Sequence, residues 1–255
     1  MDETPTTQAA PVESNEMSFS DKLMNVFTAP GELFDYVAKS EKQTGNWSVP
    51  LIISMIVSVI FVLVAFSQAP VQDQMKDQQE KAIQKRVVEG KMTQEQADLA
   101  MSKNPAQPGS PLFMIFGSIG AVFMAAVALF GFALVFWLVG KWVFKSAATY
   151  QKVLEVVGLS LYVSIVATVI TLLLVVAMGS LYATPSLALA ISHFDPTDKV
   201  DKLLSAINLG TLWFLAVIGI GLGKIFATTS AKALAAVGTL WVIWSAVSVL
   251  WNFGM

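Results

Sequence analysis

The sequence predicts an all-α integral membrane protein built as a five-helix transmembrane bundle, and three observations lead to that prediction. The chain is 55% hydrophobic and only 13% charged. Ser110 to Gly140 contains no charged residue, whereas about 20 apolar residues already suffice for a helix to cross a hydrocarbon core of roughly 30 Å. Four further apolar runs flank it, separated by polar segments. Lipid is therefore the solvent in which most of this chain is expected to fold.

The polar N-terminal segment divides into two parts. Residues 1–17 are rich in Thr, Pro, Ala and acidic residues, and they are predicted to be disordered because they cannot bury enough apolar surface. From residue 18 onward apolar residues recur at helical spacing, with an interruption at Pro30-Gly31. Residues 18–48 are therefore predicted to form amphipathic helices on the cytoplasmic membrane surface. A helix packed on the protein's own loops is the alternative.

The membrane domain is predicted to cover residues 49–253. Trp47 and Pro50 open its first helix, since tryptophan favours the headgroup level and proline is tolerated in a first helical turn. The predicted spans lie at about 49–67, 111–140, 156–181, 207–223 and 233–253.

A charged insert separates the first two spans. Residues 68–110 contain six acidic and six basic residues. Two runs of helix formers meet near Gly90, and Thr93 with Gln96 has the spacing of a capping box for the second helix. Residues 71–104 are therefore predicted to form a soluble, extracytoplasmic helical hairpin. Its mixed charge is typical of a solvated face, and the alternative is a docking surface for a partner. The candidate partner-binding residues are Lys81, Lys85 and Arg86.

Small residues within the spans mark candidate helix-packing positions. In lipid no hydrophobic effect drives helices together, so small side chains favour association by letting backbones approach closely. One such stripe lies in the second span, and a GxxxG pattern lies in the fourth. The candidate packing residues are Gly117, Ala121, Ala125, Gly219 and Gly223. An aromatic stripe, Phe116, Phe123, Phe130 and Trp137, is predicted to meet lipid or to fill a groove between helices as plain packing. A groove for a bound lipid or ligand is the alternative.

Lysines in two short loops predict the orientation. Lys141, Lys145 and Lys152 flank one loop, and Lys224 and Lys232 flank the other. Short loops rich in Lys and Arg stay in the cytoplasm. With five spans, the N-terminus is then predicted to be cytoplasmic, while the insert and the C-terminus lie outside.

Composition excludes several classes of function. A net charge of -2 gives no surface for nucleic acid. The chain has no cysteine and one histidine, so neither a thiolate site nor a multi-histidine metal site is expected. No cofactor motif is present, and no ionisable residue is assigned to a span, which argues against proton-coupled transport. His193 and Asp195 in a polar loop are the remaining candidates for a catalytic pair.

The order of elements resembles the Yip (Ypt/Rab-interacting protein) domain family. The resemblance rests on Phe27-Thr-Ala-Pro30-Gly-Glu-Leu-Phe34, on Trp47-Ser-Val-Pro50, and on the five predicted spans that follow. Asn208 to Ala236 is similar to the fourth-to-fifth helix region of that family. The resemblance implies a multi-pass protein without enzymatic activity, as in the Rab-linked vesicle traffic factors of eukaryotes. The chain looks closer to the bacterial branch, in which some members are encoded beside ATP-binding-cassette exporters, and this implies a bacterial cytoplasmic (inner) membrane.

Two main functions follow as hypotheses. The first is a non-enzymatic adaptor or scaffold that associates with other membrane proteins, such as an ATP-binding-cassette exporter or trafficking machinery. The second is a transporter or channel subunit that moves a small or lipid-like substrate along a polar path lined by Thr168, Thr171 and Asn208. The expected partners are membrane lipids and other membrane proteins. A homo-oligomer is compatible with either function.

Overall fold

The computed structural model describes residues 16–102, 104–191, 194–196 and 198–251, and these residues form ten α-helices and one 3-10 helix, Leu187–Ala190. The α-helices are α1 (Phe19–Thr28), α2 (Pro30–Lys39), α3 (Gly45–Ala65), α4 (Ala69–Val88), α5 (Gln94–Ser102), α6 (Pro111–Trp142), α7 (Tyr150–Met178), α8 (Lys199–Ala206), α9 (Leu209–Ile225) and α10 (Ser230–Trp251). The predicted disordered tail, up to residue 15, lies outside the described residues.

Four of these helices are long and apolar enough to cross a membrane, namely α3, α6, α7 and α10. Helix α9 is apolar but has 17 residues, which is about 25 Å at a rise of about 1.5 Å per residue. It is therefore somewhat shorter than a hydrocarbon core of about 30 Å. The protein is thus all-helical in its described part, with several helices suited to membrane crossing.

Helix α7 occupies the centre of the bundle. Every residue from Val153 to Val163 is buried, so this half of α7 is covered by protein on all sides. It packs against α3, α6 and α9, and also against the short helices α1 and α2. A helix that is apolar all round is expected in such a position.

Helix α7 begins before the predicted third span. The third span was expected to begin at residue 156, but α7 begins at Tyr150. Glu155 therefore lies inside the helix and is completely buried. Glu155 thus precedes the predicted third span by one residue and belongs to the same helix. Burial of Glu155 is tolerated because protein side chains, and not lipid, surround it.

Helices α1 and α2 pack onto one end of the bundle. Ser18 caps α1 in a capping box with Asp21, and Pro30 occupies the first turn of α2. The apolar residues of α2 are fully buried against α7 and α9, with Phe34 at the centre of the contact. On the opposite side of α1, Met24 is 64% exposed. The inner faces of these helices thus pack on the bundle itself.

The two lysine-bearing loops lie at the same end as α1 and α2, which we call the amino end. Phe144 and Phe226, which follow α6 and α9, stack with ring centroids 5.8 Å apart. Lys224 Nζ lies 3.4 Å from Asp35 Oδ1 of α2. The hairpin formed by α4 and α5 leaves the opposite end, because α3 runs away from the amino end before α4 begins. We call that opposite end the hairpin end.

Candidate functional site

The predicted small residues lie at close helix contacts. Gly117 of α6 faces Val62 of α3, whose Cγ1 would lie 3.2 Å from an added Cβ. An added Cβ at Gly219 would lie 2.4 Å from Leu234 Cδ2, and one at Gly223 would lie 3.0 Å from the Cα of Ser230. Two alanines on α6 complete the set. Ala121 lines a cavity beside α3, and Ala125 packs on the core.

Sequence reasoning missed one equally close contact, which is made with backbone atoms. Gly158 of α7 lies against the first turn of α3, where an added Cβ would be 2.4 Å from Trp47 Cα and 2.9 Å from the carbonyl oxygen of Asn46. Both of these are backbone atoms, which cannot rotate away. Gly158 stands alone in an apolar run without a partner glycine at GxxxG spacing, so no pattern marked it.

The aromatic stripe of α6 is exposed along its first half. Phe116 and Phe123 are 61% and 65% exposed, whereas Phe130 packs edge-on against Trp47 with ring centroids 5.6 Å apart. This part of the stripe is left uncovered by the described chain, whereas Gly117 of the same helix packs against Val62 of α3.

A buried polar cluster joins the amino end to the centre of the bundle. It consists of Lys22 on α1, Gln43 and Asn46 at the start of α3, and Lys152 and Glu155 on α7, and we call it the Glu155 cluster. Asn46 Nδ2 donates to Glu155 Oε2 at 2.7 Å, and Lys152 Nζ lies 3.4 Å from Glu155 Oε1. Lys22 Nζ donates to Asn46 Oδ1 at 3.1 Å and also to Gln43 Oε1.

Lys152 also fastens the end of α2. Its ammonium group donates to the carbonyl oxygens of Val37 at 2.7 Å and Glu41 at 3.1 Å. The last carbonyls of a helix have no partner within the helix and carry partial negative charge, so a cation stabilises them. One lysine thereby connects α2, the segment before α3, and the carboxylate of α7.

Burial and neighbouring carboxylates have opposite effects on the pKa of Lys22 in the Glu155 cluster. Desolvation lowers the pKa of Lys22, and the nearby carboxylates of Glu155 and Glu16 act in the opposite direction. Charges are costly to remove from water unless they are paired and hydrogen-bonded. Glu155 has such partners on both α3 and its own helix, so the cluster acts as a connection between helices.

Of the two residues considered as a catalytic pair, His193 lies outside the described residues. The backbone N–H of Asp195 donates to Asp201 Oδ2 at 2.8 Å. In the described part of the chain, no group of three or more acidic or histidine side chains could hold a metal ion.

The residues of the transport hypothesis do line one cavity. A cavity of about 450 Å³ lies between α3, α6, α7 and α9, and its wall includes Ser58, Thr168, Thr171 and Asn208. The hydroxyls of Thr168 and Thr171 each donate to a carbonyl one turn earlier at 2.8 Å. Asn208 caps α9 by accepting from the N–H groups of Gly210 and Thr211. Much of the polarity is therefore used in holding the helices themselves.

The helical hairpin is fixed at its base. Val71 is fully buried with Ala65 and Val175. Gln74 accepts from the Leu181 N–H at 3.0 Å, and Gln78 donates to Tyr182 Oη. These contacts join the first turns of α4 to the end of α7 and to the loop that follows it.

Beyond its base the hairpin projects from the bundle. Between residues 79 and 102 its hydrogen bonds and ion pairs to other described residues stay within the hairpin, including the predicted capping box of Thr93 and Gln96. The candidate partner-binding residues Lys81, Lys85 and Arg86 are all exposed on α4. The arrangement is an arm with a fixed root and a solvated, charged tip.

Comparison with known proteins gives one match. A family model described as Yip1 domain matches residues 24–251, which covers the second half of α1 and all of the other helices described above. No curated protein and no solved structure matches the chain.

Proposed function

This chain belongs to the Yip1 domain family, and we propose that it is a non-enzymatic membrane adaptor or scaffold that associates with other membrane proteins. The observation that carries the proposal is the projecting hairpin, whose base is buried and whose tip makes no hydrogen bond or ion pair to the rest of the described chain. The tip of such an arm adds solvent-exposed surface to the protein and does not contribute to the packing of the bundle. It is well suited to contact the water-exposed domain of a partner, such as an exporter.

Charge on the hairpin favours a protein partner. Lys81 and Arg86 have no ion-pair partner among the described residues, and Lys85 lies 4.0 Å from Glu89 at a fully solvated position. Exposed charges of this kind contribute little to stability. Complementary charges across an interface do increase encounter rate and specificity. The basic group on α4 is therefore a reasonable contact for an acidic surface.

Replacing residues 80–103 with a short Gly/Ser linker should abolish co-purification of the partner while leaving the membrane bundle folded. The bundle is expected to survive because Val71, Gln74 and Gln78 at the hairpin base are retained. Affinity purification in mild detergent, followed by mass spectrometry, measures the loss. A partner retained at the wild-type level would show that the hairpin is only a solvated insert.

Charge reversal at Lys81, Lys85 and Arg86 provides the finer form of this test. Partner recovery should fall in low salt and should fall less at high salt, where charges are screened. Reversal of the exposed Lys42 at the amino end is the matched control and should change nothing. If no partner is captured by the intact protein, but substrate flux changes when the hairpin is replaced, the transporter or channel function is supported instead.

We infer five membrane spans, with α9 as the fourth, and a cytoplasmic amino end. Support comes from the lysines of the two short loops, which lie beside α1 and α2 at one end of the bundle. Reporter fusions after Lys145 and Lys232 should report a cytoplasmic location, and fusions after Arg86 and Thr197 an external one. Reversed signals would refute the orientation, and a cytoplasmic signal after Thr197 alone would refute the count of five.

The alternative function rests on the cavity between α3, α6, α7 and α9. Its wall combines hydroxyl and amide groups with apolar side chains, which would suit a small or lipid-like substrate. Non-helical backbone adjoins it where α9 begins at Leu209, and such backbone within a membrane is tolerated where it is buried or lines a cavity. The adaptor remains the first proposal because the threonines of the cavity are already hydrogen-bonded to their own helix.

A further inference from the structure

A second, smaller cavity lies at the amino end, and its wall includes several hydrogen-bond donors. It has a volume of about 180 Å³ and lies between α1, the start of α3, and α7. We call it the amino-end pocket. A water molecule takes up about 30 Å³ in the liquid, so the pocket has room for a phosphate-sized group with some water. The residues that matter for its chemistry are Lys22, Gly45, Asn46 and Tyr162.

Tyr162 supplies the observation that indicates a ligand. Its side chain is only 5% exposed, it lines the pocket, and its hydroxyl makes no hydrogen bond to any described residue. Buried polar groups nearly always have a partner, and each exception calls for one. A ligand or water in the pocket is the natural partner for this hydroxyl.

Lys22 adds a positive charge to the same wall. Its side chain is buried, with 9% exposure, and two of its three ammonium hydrogens are directed to Gln43 and Asn46. One donor is left for a ligand. Burial lowers the pKa of Lys22, whereas the carboxylates of Glu155 and Glu16 raise this pKa and so favour the charged ammonium. Glu155 is itself paired with Lys152. The positive charge of Lys22 therefore still acts on the pocket.

The N-terminus of α3 completes the site. Thr44 gives α3 no side-chain cap, and its first turn has no acidic residue. The N–H of Gly45, in the pocket wall, makes no hydrogen bond to a described residue. The N-terminus of a 21-residue helix has partial positive charge and attracts anions. Three independent donors, an ammonium, a phenol and a helix N-terminus, thus surround one cavity.

We propose that the amino-end pocket binds a phosphate group, supplied either by the headgroup of an anionic phospholipid or by a soluble phosphate. The ammonium of Lys22, the hydroxyl of Tyr162 and the N–H of Gly45 can each donate a hydrogen bond, which suits an acceptor-only anion. Trp47 lies one residue beyond Asn46, and tryptophan favours the headgroup level of a membrane. Phe19 in the pocket wall is 54% exposed, so the rim is apolar where an acyl chain would lie. This binding site is independent of the hairpin and of the adaptor function.

Binding should be tested on the full chain in a nonionic detergent, by thermal unfolding in the presence of three probes. These are inorganic phosphate, a short-chain phosphatidylglycerol, and a diacylglycerol with the same acyl chains. Phosphatidylglycerol should raise the midpoint in a saturable way, and diacylglycerol should not. Saturation by inorganic phosphate alone would assign the site to a soluble phosphate, whereas saturation by the lipid alone would assign it to a headgroup.

Two variants identify the site. Tyr162→Phe and Lys22→Gln should each raise the half-saturating concentration about tenfold, which is the effect of losing one hydrogen bond to a charged group. Tyr150→Phe on the same helix and Lys42→Gln on the nearby surface are the matched controls and should leave it unchanged. Tyr162→Phe removes only a hydroxyl that has no hydrogen bond to a described residue, so this variant is expected to fold. It therefore tests the site even if Lys22→Gln fails to fold. The proposal is overturned if neither phosphate probe gives a saturable response, if diacylglycerol acts equally, or if Tyr162→Phe binds like the wild type.

Discussion

Gly158→Ala should destabilise the bundle more strongly than its small size suggests. The new methyl group would lie 2.4 Å from Trp47 Cα. Helices α3 and α7, which form the most extensive helix–helix contact among the described residues, must therefore move apart. Overpacking of a core typically costs about 1–3 kcal/mol, and the upper part of this range is expected because the obstructing atoms are backbone. The midpoint of thermal unfolding in detergent measures the change.

Gly131→Ala is the matched control for this prediction. A Cβ at Gly131 of α6 meets nothing within 4 Å, and alanine is favoured over glycine in a helix by about 1 kcal/mol. This variant should unfold at the wild-type temperature or slightly higher. If Gly158→Ala unfolds at the same temperature as Gly131→Ala, the close approach of α3 to α7 is not present in the folded protein.

Glu155→Leu should have a comparable effect through electrostatics. The change leaves Lys152 and Asn46 buried at the amino end without the carboxylate that they contact. Loss of one partner from a buried ion pair costs about 3–5 kcal/mol. Proteolysis of the amino end should accelerate as well, because Lys152 holds the end of α2. Both readouts, the unfolding midpoint and the cleavage rate between α2 and α3, are measured in detergent.

Two further variants separate charge from shape at this position. Glu155→Gln retains an oxygen that can accept from Asn46, so it should lose less stability than Glu155→Leu. Glu80→Leu on the exposed face of α4 controls for the change of residue type and should have little effect. If all three variants unfold at the same midpoint temperature, the Glu155 cluster does not stabilise the fold.

Short-range signals in the sequence were sufficient to predict where several helices begin. Ser110 and Pro111 mark the start of α6 in both the sequence and the structure, because a capping side chain and a first-turn proline act within a few residues. The capping box at Thr93 and Gln96 was predicted for the same reason. Membership of the Yip family was also recognisable, since it depended on the order of short motifs along the chain.

Features that depend on distant contacts were not predictable in this way. Glu155 is buried because Asn46, 109 residues away in sequence, donates to it, and nothing near Glu155 indicates that partner. Gly158 has no glycine at helical spacing, so its role became visible only when α3 was placed beside it. The donors of the amino-end pocket come from three separate segments, and none of them forms a motif. Thr168, Thr171 and Asn208, in contrast, were grouped from their polarity alone, and they do share a cavity.

The long separations within the Glu155 cluster have a consequence during protein synthesis. Lys152 contacts Val37, which is 115 residues earlier in the chain, and ribosomes add about 5–20 residues per second. For roughly 6–23 seconds, therefore, Val37 has been made but Lys152 has not. During that interval the apolar face of α2 lacks the surface of α7 that covers it in the folded protein. The nascent amino end must therefore rely on other contacts, such as lipid or a chaperone, until the central helix is made.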